Sequence, residues 1–550
     1  MTSQTPSVTL DGVSLTLDQV ASVCRPDAVG RFATVQFDDG ARGRLEKARS
    51  YIEANWLTDD APLMYSFNTG VGLFKDVRVP VADMALFQEK LILAHATGIG
   101  EPFAEDVVRA TMLLRANAFA SNFSGAAPAL VDRLLAFLNA GLHPVIPQKG
   151  SVGASGDLAP LAHLSGALCG MAEAEIFYQG ARMPAVDAIA TAGLPADLPL
   201  GPKDASALIN GSTVSLALSA LATWDARRVL KAADIALAMS LEAMRGEKAA
   251  FDPRIHAARP HPGQAKTARN ILRGVDGSSR MSQAARDVVF PEEARSADTP
   301  APPRVQDVYS LRCAPQVHGP VEQALQYIEG IVETELNSAT DNPLMFANED
   351  DSYTVISGGH FHGQYLAQAS DLLSIALADL GAISERRLAR LIDPGMSYGL
   401  PRNLNAGQKG LNTGFATVQC SMSALVMENR GLATPGSVDT IPGKGNAEDH
   451  VANSTWCGRK ALTIVQNAEQ IVAVEMLIAA QALSMADAMV DGLAADFPVG
   501  KGTAAAMKAI RAAFPPALDG DRWFATEMNT MLVMVRNGKI ADAVESVVGT

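Results

Sequence analysis

The chain has 550 residues, 48% of them hydrophobic and only 5% aromatic, and 45 basic against 59 acidic residues leave a net charge of −14. With no lysine–arginine cluster, this balance disfavours nucleic acid and anionic membrane surfaces as partners, because both need a positive footprint. Cys24, Cys169, Cys313, Cys420 and Cys457 are scattered, odd in number and free of any CxxC pair, which points to reduced thiols in a cytoplasmic protein and away from a disulfide frame or zinc site.

The N-terminal run Met1–Pro6 lacks a basic region followed by an apolar core, so no secretory signal is expected. Length alone suggests about three or four domains, yet Ala and Leu dominate the long segments and favour fewer, larger helical units. Short β-prone runs lie at Ala33–Phe37, Ile176–Tyr178 and Ser352–Ile356. Helical period fills nearly everything else. It runs over Gln88–Gly98, where His95 sits on an otherwise apolar face, and over 204–250, with Asn210-Gly211 near its start. In His318–Leu336, Val321, Leu325, Ile328, Val332 and Leu336 recur at three- and four-residue steps. Gln364–Ile392, 412–432 and 455–490 repeat the pattern. The most apolar stretch, Ile471–Val490, is interrupted by Glu475, Gln481 and Asp487, which suits the centre of a bundle. Proline and glycine punctuate Leu194–Pro202 and Thr299–Arg304. These elements predict a mainly α fold. A mixed N-terminal domain spans 1–203, a bundle of long central helices 204–490 and a helical tail 491–550. Helices this apolar need more partners than one subunit supplies, so an oligomer is expected.

The most informative stretch is Gly150-Ser-Val-Gly-Ala-Ser-Gly-Asp157. If the Gly156 nitrogen attacks the Ala154 carbonyl carbon, a five-membered ring closes. Loss of one water from the ring and another from Ser155 leaves a methylidene-imidazolone (MIO). Gly156 has no side chain to obstruct closure, Gly153 can take the angles of a tight turn, and Ser155 carries the hydroxyl that becomes the alkene. No ordinary side chain is a good electrophile, so a reaction needing an electron sink must build one.

The run Lys149–His163 around this tripeptide resembles the cofactor-forming signature of the histidine and aromatic amino-acid ammonia-lyase family, closest to its histidine-specific branch. Tyr65–Gly72 is similar to the family's tyrosine loop and Leu93–Gly98 to its selectivity helix. Asn210-Gly211, Gln306–Arg312, Thr340–Leu344, Ser357–His362, Leu411–Phe415 and Glu448–His450 follow in the family's order. The resemblance implies an MIO formed autocatalytically from Ala154-Ser155-Gly156, a small amino-acid substrate and a homotetramer with shared active sites.

Ammonia elimination needs an electrophile for the amine, a base for the β-proton and a grip on the carboxylate. Tyr65, beside Gly70 and Gly72 on a loop able to close over substrate, is the candidate base. A phenol titrating near about 10 is a weak base at neutral pH, so the site has to help it. Arg312 offers a bidentate fork, and in a helix Tyr309 and Gln306 would lie near its face. On residues alone, Asn210 serves equally as a helix cap or as a substrate contact. His95 taken singly reads as a hydrogen-bonded core histidine. In the family its position separates an imidazole pocket from an aryl one, and leucine there would suit phenylalanine or tyrosine. Histidine there, with Glu448 where aryl-specific relatives resemble Gln, implies an imidazole-bearing substrate whose ring nitrogens would otherwise go unpaired. Phe361 is expected against the MIO ring or substrate. His360, His362 and His450 tempt a metal reading, but no further ligand motif supports it, and no metal is expected.

The expected activity is therefore conversion of L-histidine, or a close imidazole analogue, to a urocanate-type product and ammonia. An aryl-selective lyase, an aromatic aminomutase and an inactive binding homologue are the alternatives. Ala94 stands where histidine ammonia-lyases resemble Ser, His360 where Asn is usual and Ala447 where Gln is usual. Leu400-Pro401-Arg402-Asn403 differs from the usual Leu-Pro-Pro-Phe. These departures touch the substrate, not the reaction class.

Overall fold

Apolar residues at helical spacing, with few β-branched runs, give a mainly α protein whose strands are all short. A computed structural model describes residues 6–27, 29–293, 296, 298–443 and 447–549. By contact these form two compact units. The first comprises Met1–Trp224, Ile328–Asp371 and Pro435–Leu462; the second comprises Asp225–Tyr327, Leu372–Thr434 and Thr463–Thr550.

All the strands belong to the first unit. Ser7–Leu10 pairs in parallel with Thr34–Phe37, and Ile99–Pro102 pairs antiparallel with Pro147–Lys149. Glu175–Tyr178 lies between His143–Pro144 and Ala181–Pro184, and Leu344–Ala347 pairs with Tyr353–Ile356. Three of these strands coincide with the β-prone runs of the sequence. Their partners are two to four residues long, too short to display a period of two. Around them pack the helices Glu105–Ala120, buried on nearly every face, and Leu158–Leu168.

The expected helix over 204–250 is broken, and the break matters for the site. Asp204–Ile209 ends at Asn210, and Thr213–Ala243 begins afresh after Ser212. Gly211 sits at φ +135°, where a Cβ would lie 2.2 Å from the Thr340 carbonyl oxygen and 2.4 Å from Arg115 Nη1. No side chain fits there, and a regular helix cannot pass through such a backbone angle.

The second unit carries no strand among its described residues. Its core holds Glu475, fully buried, whose carboxylate accepts from Arg387 Nε (2.6 Å) and Nη2 (2.8 Å), from Ser240 Oγ (2.7 Å) and from Ser384 Oγ (2.6 Å). A carboxylate this deep is tolerable only when paired and bonded on both oxygens. Gln481 exchanges two hydrogen bonds with the Ala517 backbone, and Asp487 accepts from Arg280. The three polar interruptions of the apolar stretch are thus satisfied inside the protein. In helix Ser454–Met489 83% of the most apolar window is already buried within the single chain. Helix Gln364–Leu391 differs: only 56% of its window is buried, and Tyr365 and Ile375 are exposed.

Candidate functional site

Strand Pro147–Lys149 feeds the chain into the 150–157 loop, and helix Leu158–Leu168 carries it out. Gly150, Gly153 and Gly156 all have positive φ (+139°, +68° and +73°). A Cβ on Gly153 would lie 2.3 Å from Ser454 Oγ, and one on Gly156 would lie 2.3 Å from the Gly211 backbone. The glycines therefore answer two demands together, a left-handed backbone and contact too close for any side chain.

The loop is tied down from several directions. The Asp157 N–H donates to the Gly211 carbonyl (2.8 Å), the Asn453 N–H to the Val152 carbonyl (2.8 Å) and the Gly363 N–H to the Gly153 carbonyl (3.3 Å). The Asp157 carboxylate accepts from Ser151 Oγ (2.8 Å), the Ser215 N–H (2.8 Å), Ser215 Oγ (3.0 Å) and Thr455 Oγ1 (2.5 Å). Complete burial raises its pKa, and those donors pull the other way by favouring the ionised form. Ala154 is buried and Ser155 half-buried. A ring closed between the Gly156 nitrogen and the Ala154 carbonyl carbon fits this loop, since Gly156 carries no Cβ to collide with the Gly211 backbone packed against it.

Ala154, Ser155 and Gly156 line a cavity of about 270 Å³ together with Ala94, His95, Thr97 and Glu448. Ser155 Oγ donates to Glu448 Oε1 at 2.5 Å. Glu448 is held by backbone pairing with Gly443; residues 444–446 of that loop lie outside the described residues. His95 ends helix Met84–His95, and its Nδ1 donates to the Leu91 carbonyl at 2.8 Å. A carbonyl only accepts, so Nδ1 carries hydrogen and Nε2 is the nitrogen left for another partner.

The other predicted residues of this unit stand outside the cavity lining. Tyr65 is half-buried, and its hydroxyl accepts from the Gly72 N–H at 3.1 Å, tying it to its own glycine loop. That loop presents Leu73 and Phe74 to solvent. Asn210 closes helix Asp204–Ile209 instead of opening the next one. Its carbonyl accepts from Arg115 Nη1 (2.9 Å), while its buried Oδ1 has no hydrogen-bond partner among the described residues. An amide oxygen left so is a candidate for ligand or ring contact. Phe361 is half-buried and His360 exposed. His362 and His450 pair with each other, with rings 5.4 Å apart and His362 Nε2 3.2 Å from the His450 carbonyl. Among the described residues no three His, Cys, Asp or Glu side chains converge as a metal site would need. Ala447 is exposed beside Glu448.

In the second unit the helix expected to carry Gln306, Tyr309 and Arg312 on one face is only Tyr309–Arg312; Gln306 precedes it in irregular chain. Val308, at φ −66° and ψ 158°, is extended, so the helix cannot run back through it to Gln306. Arg312 Nε donates to the Asp307 carbonyl (2.7 Å), and its guanidinium lies 4.7 Å from the Tyr309 ring centre. Tyr309 is 70% exposed. Gln306 lines a separate cavity of about 640 Å³ with Arg304 and Tyr398. Arg402 pairs with Asp393 at 3.4 Å, and Asn403 takes φ +57°.

Sequence reasoning did not assign roles to Ser151, Asp157, Ser215 and Thr455, the polar bracket of the loop. Asp157 lay inside the quoted run. Ser215 and Thr455 carry no motif and meet it only through the fold.

With this geometry in place, the comparisons with known proteins are specific. The family model described as aromatic amino acid lyase matches residues 15–512. A histidine ammonia-lyase of Gloeobacter violaceus is 42% identical over 540 residues, 98% of each chain. Among solved structures, histidine ammonia-lyase from Trypanosoma cruzi superposes with a TM-score of 0.85 at 33% identity, covering 98% of this chain and 95% of that one. Tyrosine aminomutase from Streptomyces globisporus gives 0.86 at 32% identity, covering 98% and 99%.

Proposed function

The chain belongs to the aromatic amino acid lyase family, and from that premise we propose that it eliminates ammonia from L-histidine to give urocanate. It is a carbon–nitrogen lyase. The observation that carries the choice of histidine is the presence of His95 and Glu448 in one cavity with Ser155. A carboxylate and an imidazole can each bond one nitrogen of a bound imidazole ring. A phenyl ring would leave both without partners in a confined space.

An MIO made from Ala154-Ser155-Gly156 supplies the electrophilic carbon that makes the substrate amine a better leaving group. Asn210, with its unpartnered buried Oδ1, would contact that ring or the amine. Arg312 grips the substrate carboxylate through its fork, with Tyr309 against its guanidinium and Gln306 contributing from the chain just ahead of the helix. Tyr65, reacting as its phenolate, takes the β-proton and becomes the phenol, and the glycine loop whose Gly72 N–H donates to that oxygen excludes water when it closes. Phe361 packs on the apolar side of the ring. We place the enzyme in the cytoplasm as a homotetramer. The exposure of Tyr309 and Gln306 on a single chain supports active sites completed by neighbouring subunits.

Turnover of L-histidine, L-tyrosine and L-phenylalanine by purified protein tests the reading. Histidine should lead in kcat/KM by about 10²-fold or more, because the mismatched ring leaves polar groups unpaired. A lead for tyrosine or phenylalanine would overturn it. The likeness to tyrosine aminomutase favours one second reading, return of the amine to the β-carbon; a β-amino acid among the products would establish that outcome instead.

A further inference from the structure

His163 closes the electrophile-forming run, and nothing in the chemistry above uses it. It sits in the middle of helix Leu158–Leu168, half-buried, with Nε2 3.0 Å from the Gly98 backbone nitrogen. A backbone N–H only donates, so the ring accepts through the lone pair of neutral imidazole. Burial holds its pKa below the ordinary histidine value, which keeps that lone pair available.

Gly98 lies three residues beyond His95, the last residue of its helix. Helix ends fray because their final carbonyls lack intrahelical donors. The His95 ring is bonded to Leu91 on that same last turn, so its position follows wherever the turn is held. After His95 the chain folds back, with the Thr97 N–H donating to the His95 carbonyl at 2.8 Å, and then reaches Gly98. There it is wedged. A Cβ on Gly98 would lie 3.1 Å from His163 Cδ2 and Nε2 and from Pro147 Cβ, and one on Gly150 would lie 3.1 Å from the Gly98 Cα. Strand Ile99–Pro102 then pairs with Pro147–Lys149. The exit of the selectivity helix is thus fastened to both flanks of the loop carrying Ser155, to the strand before it and the helix after it.

We infer that His163 is a positioning residue for substrate selection: by accepting the Gly98 N–H it fixes His95 at a set place relative to the Ser155 loop. The inference rests on the proposed function, in which His95 meets the substrate ring. His163 itself touches neither the substrate nor the reacting atoms.

Two substitutions and one wedge test it, each read by histidine kinetics and intact mass. His163→Leu keeps the bulk and removes the acceptor. KM for histidine should rise about ten- to a hundredfold, the effect expected for a misplacement near 1 Å, with a smaller change in kcat. The histidine-over-tyrosine preference should fall, and the mass should still be two waters below the sequence value. His163→Gln can accept through Oε1 and should stay within about threefold of the unsubstituted protein, since the geometry is retained. Gly98→Ala pushes on the same contact from the other side and should raise KM as His163→Leu does. Should His163→Leu not fold, the contrast between His163→Gln and Gly98→Ala decides. An unchanged KM in His163→Leu or Gly98→Ala, or equal impairment in Gln and Leu, overturns the inference. So does failure of His163→Leu to lose its waters, which would make His163 a support for ring closure. Failure of the unsubstituted protein to lose water or to turn over histidine would instead strike the functional reading.

Discussion

Two irregular connections contain most of the proposed chemistry, and they are built on opposite plans. The 150–157 loop is cramped, with glycines at positive φ and a buried aspartate receiving four hydrogen bonds. The 301–312 segment is anchored at Arg304, whose Nη1 donates to the Met244 and Arg245 carbonyls (2.9 and 2.8 Å), at Asp307, which accepts from the Glu247 N–H at 2.5 Å, and at buried Leu311, while Gln306 and Tyr309 stand exposed. A centre made out of backbone has to be held before any substrate arrives, because atoms of the main chain must be driven together. A grip on a carboxylate needs only one well-oriented fork, and the rest of that segment can face outward. Rigidity has been placed where bonds are made and openness where a ligand is received.

Four substitutions test that contrast. Ser155→Ala removes the hydroxyl from which the alkene derives. Turnover should fall by about 10³-fold or more, a barrier increase of roughly 4 kcal/mol or more, in a protein whose circular dichroism is unchanged. Gly153→Ala drives a Cβ onto Ser454 Oγ. Mass spectrometry should find a large fraction of molecules with their waters retained, and activity should fall in proportion to that fraction. In the open segment, Arg312→Lys keeps the charge but loses the planar fork. KM should rise about ten- to a hundredfold while dehydration stays complete, which a rate assay and a mass measurement on one sample can show. Gln306→Ala, at an exposed position ahead of the helix, should change KM by only about two- to threefold, in line with a partly solvated contact. If Arg312→Lys impaired dehydration, or Gly153→Ala left it untouched, the division between a rigid maker and an open receiver would fail.

Much of this was legible in the residues. The helices ending at Leu336 and Leu391 stand where their periodicity puts them, because each buries an apolar stripe, and the strand at Thr34–Phe37 falls on a β-prone run. The tripeptide and His95 stand out only through the ordered motifs around them, since His95 taken singly reads as a core histidine; the fold brings both to one cavity. The break at 210–212 is not legible. Gly211 is demanded by Arg115 and Thr340, which approach from distant parts of the chain. The bracket around Asp157 is hidden for the same reason, as Ser215 and Thr455 lie 58 and 298 residues away. Helical register would set Gln306 beside Arg312, but Val308 is extended and the helix starts only at Tyr309. Local rules identify elements and reactive residues; the steric demand one segment makes on another exists only once both are folded.

The most direct test of the central claim is the intact mass of the purified, catalytically active protein, followed by mass mapping of the peptide containing residues 150–157. The active chain should be lighter than its sequence by two water molecules, with both losses localised to Ala154-Ser155-Gly156. Full activity in protein whose tripeptide retains both waters would contradict it.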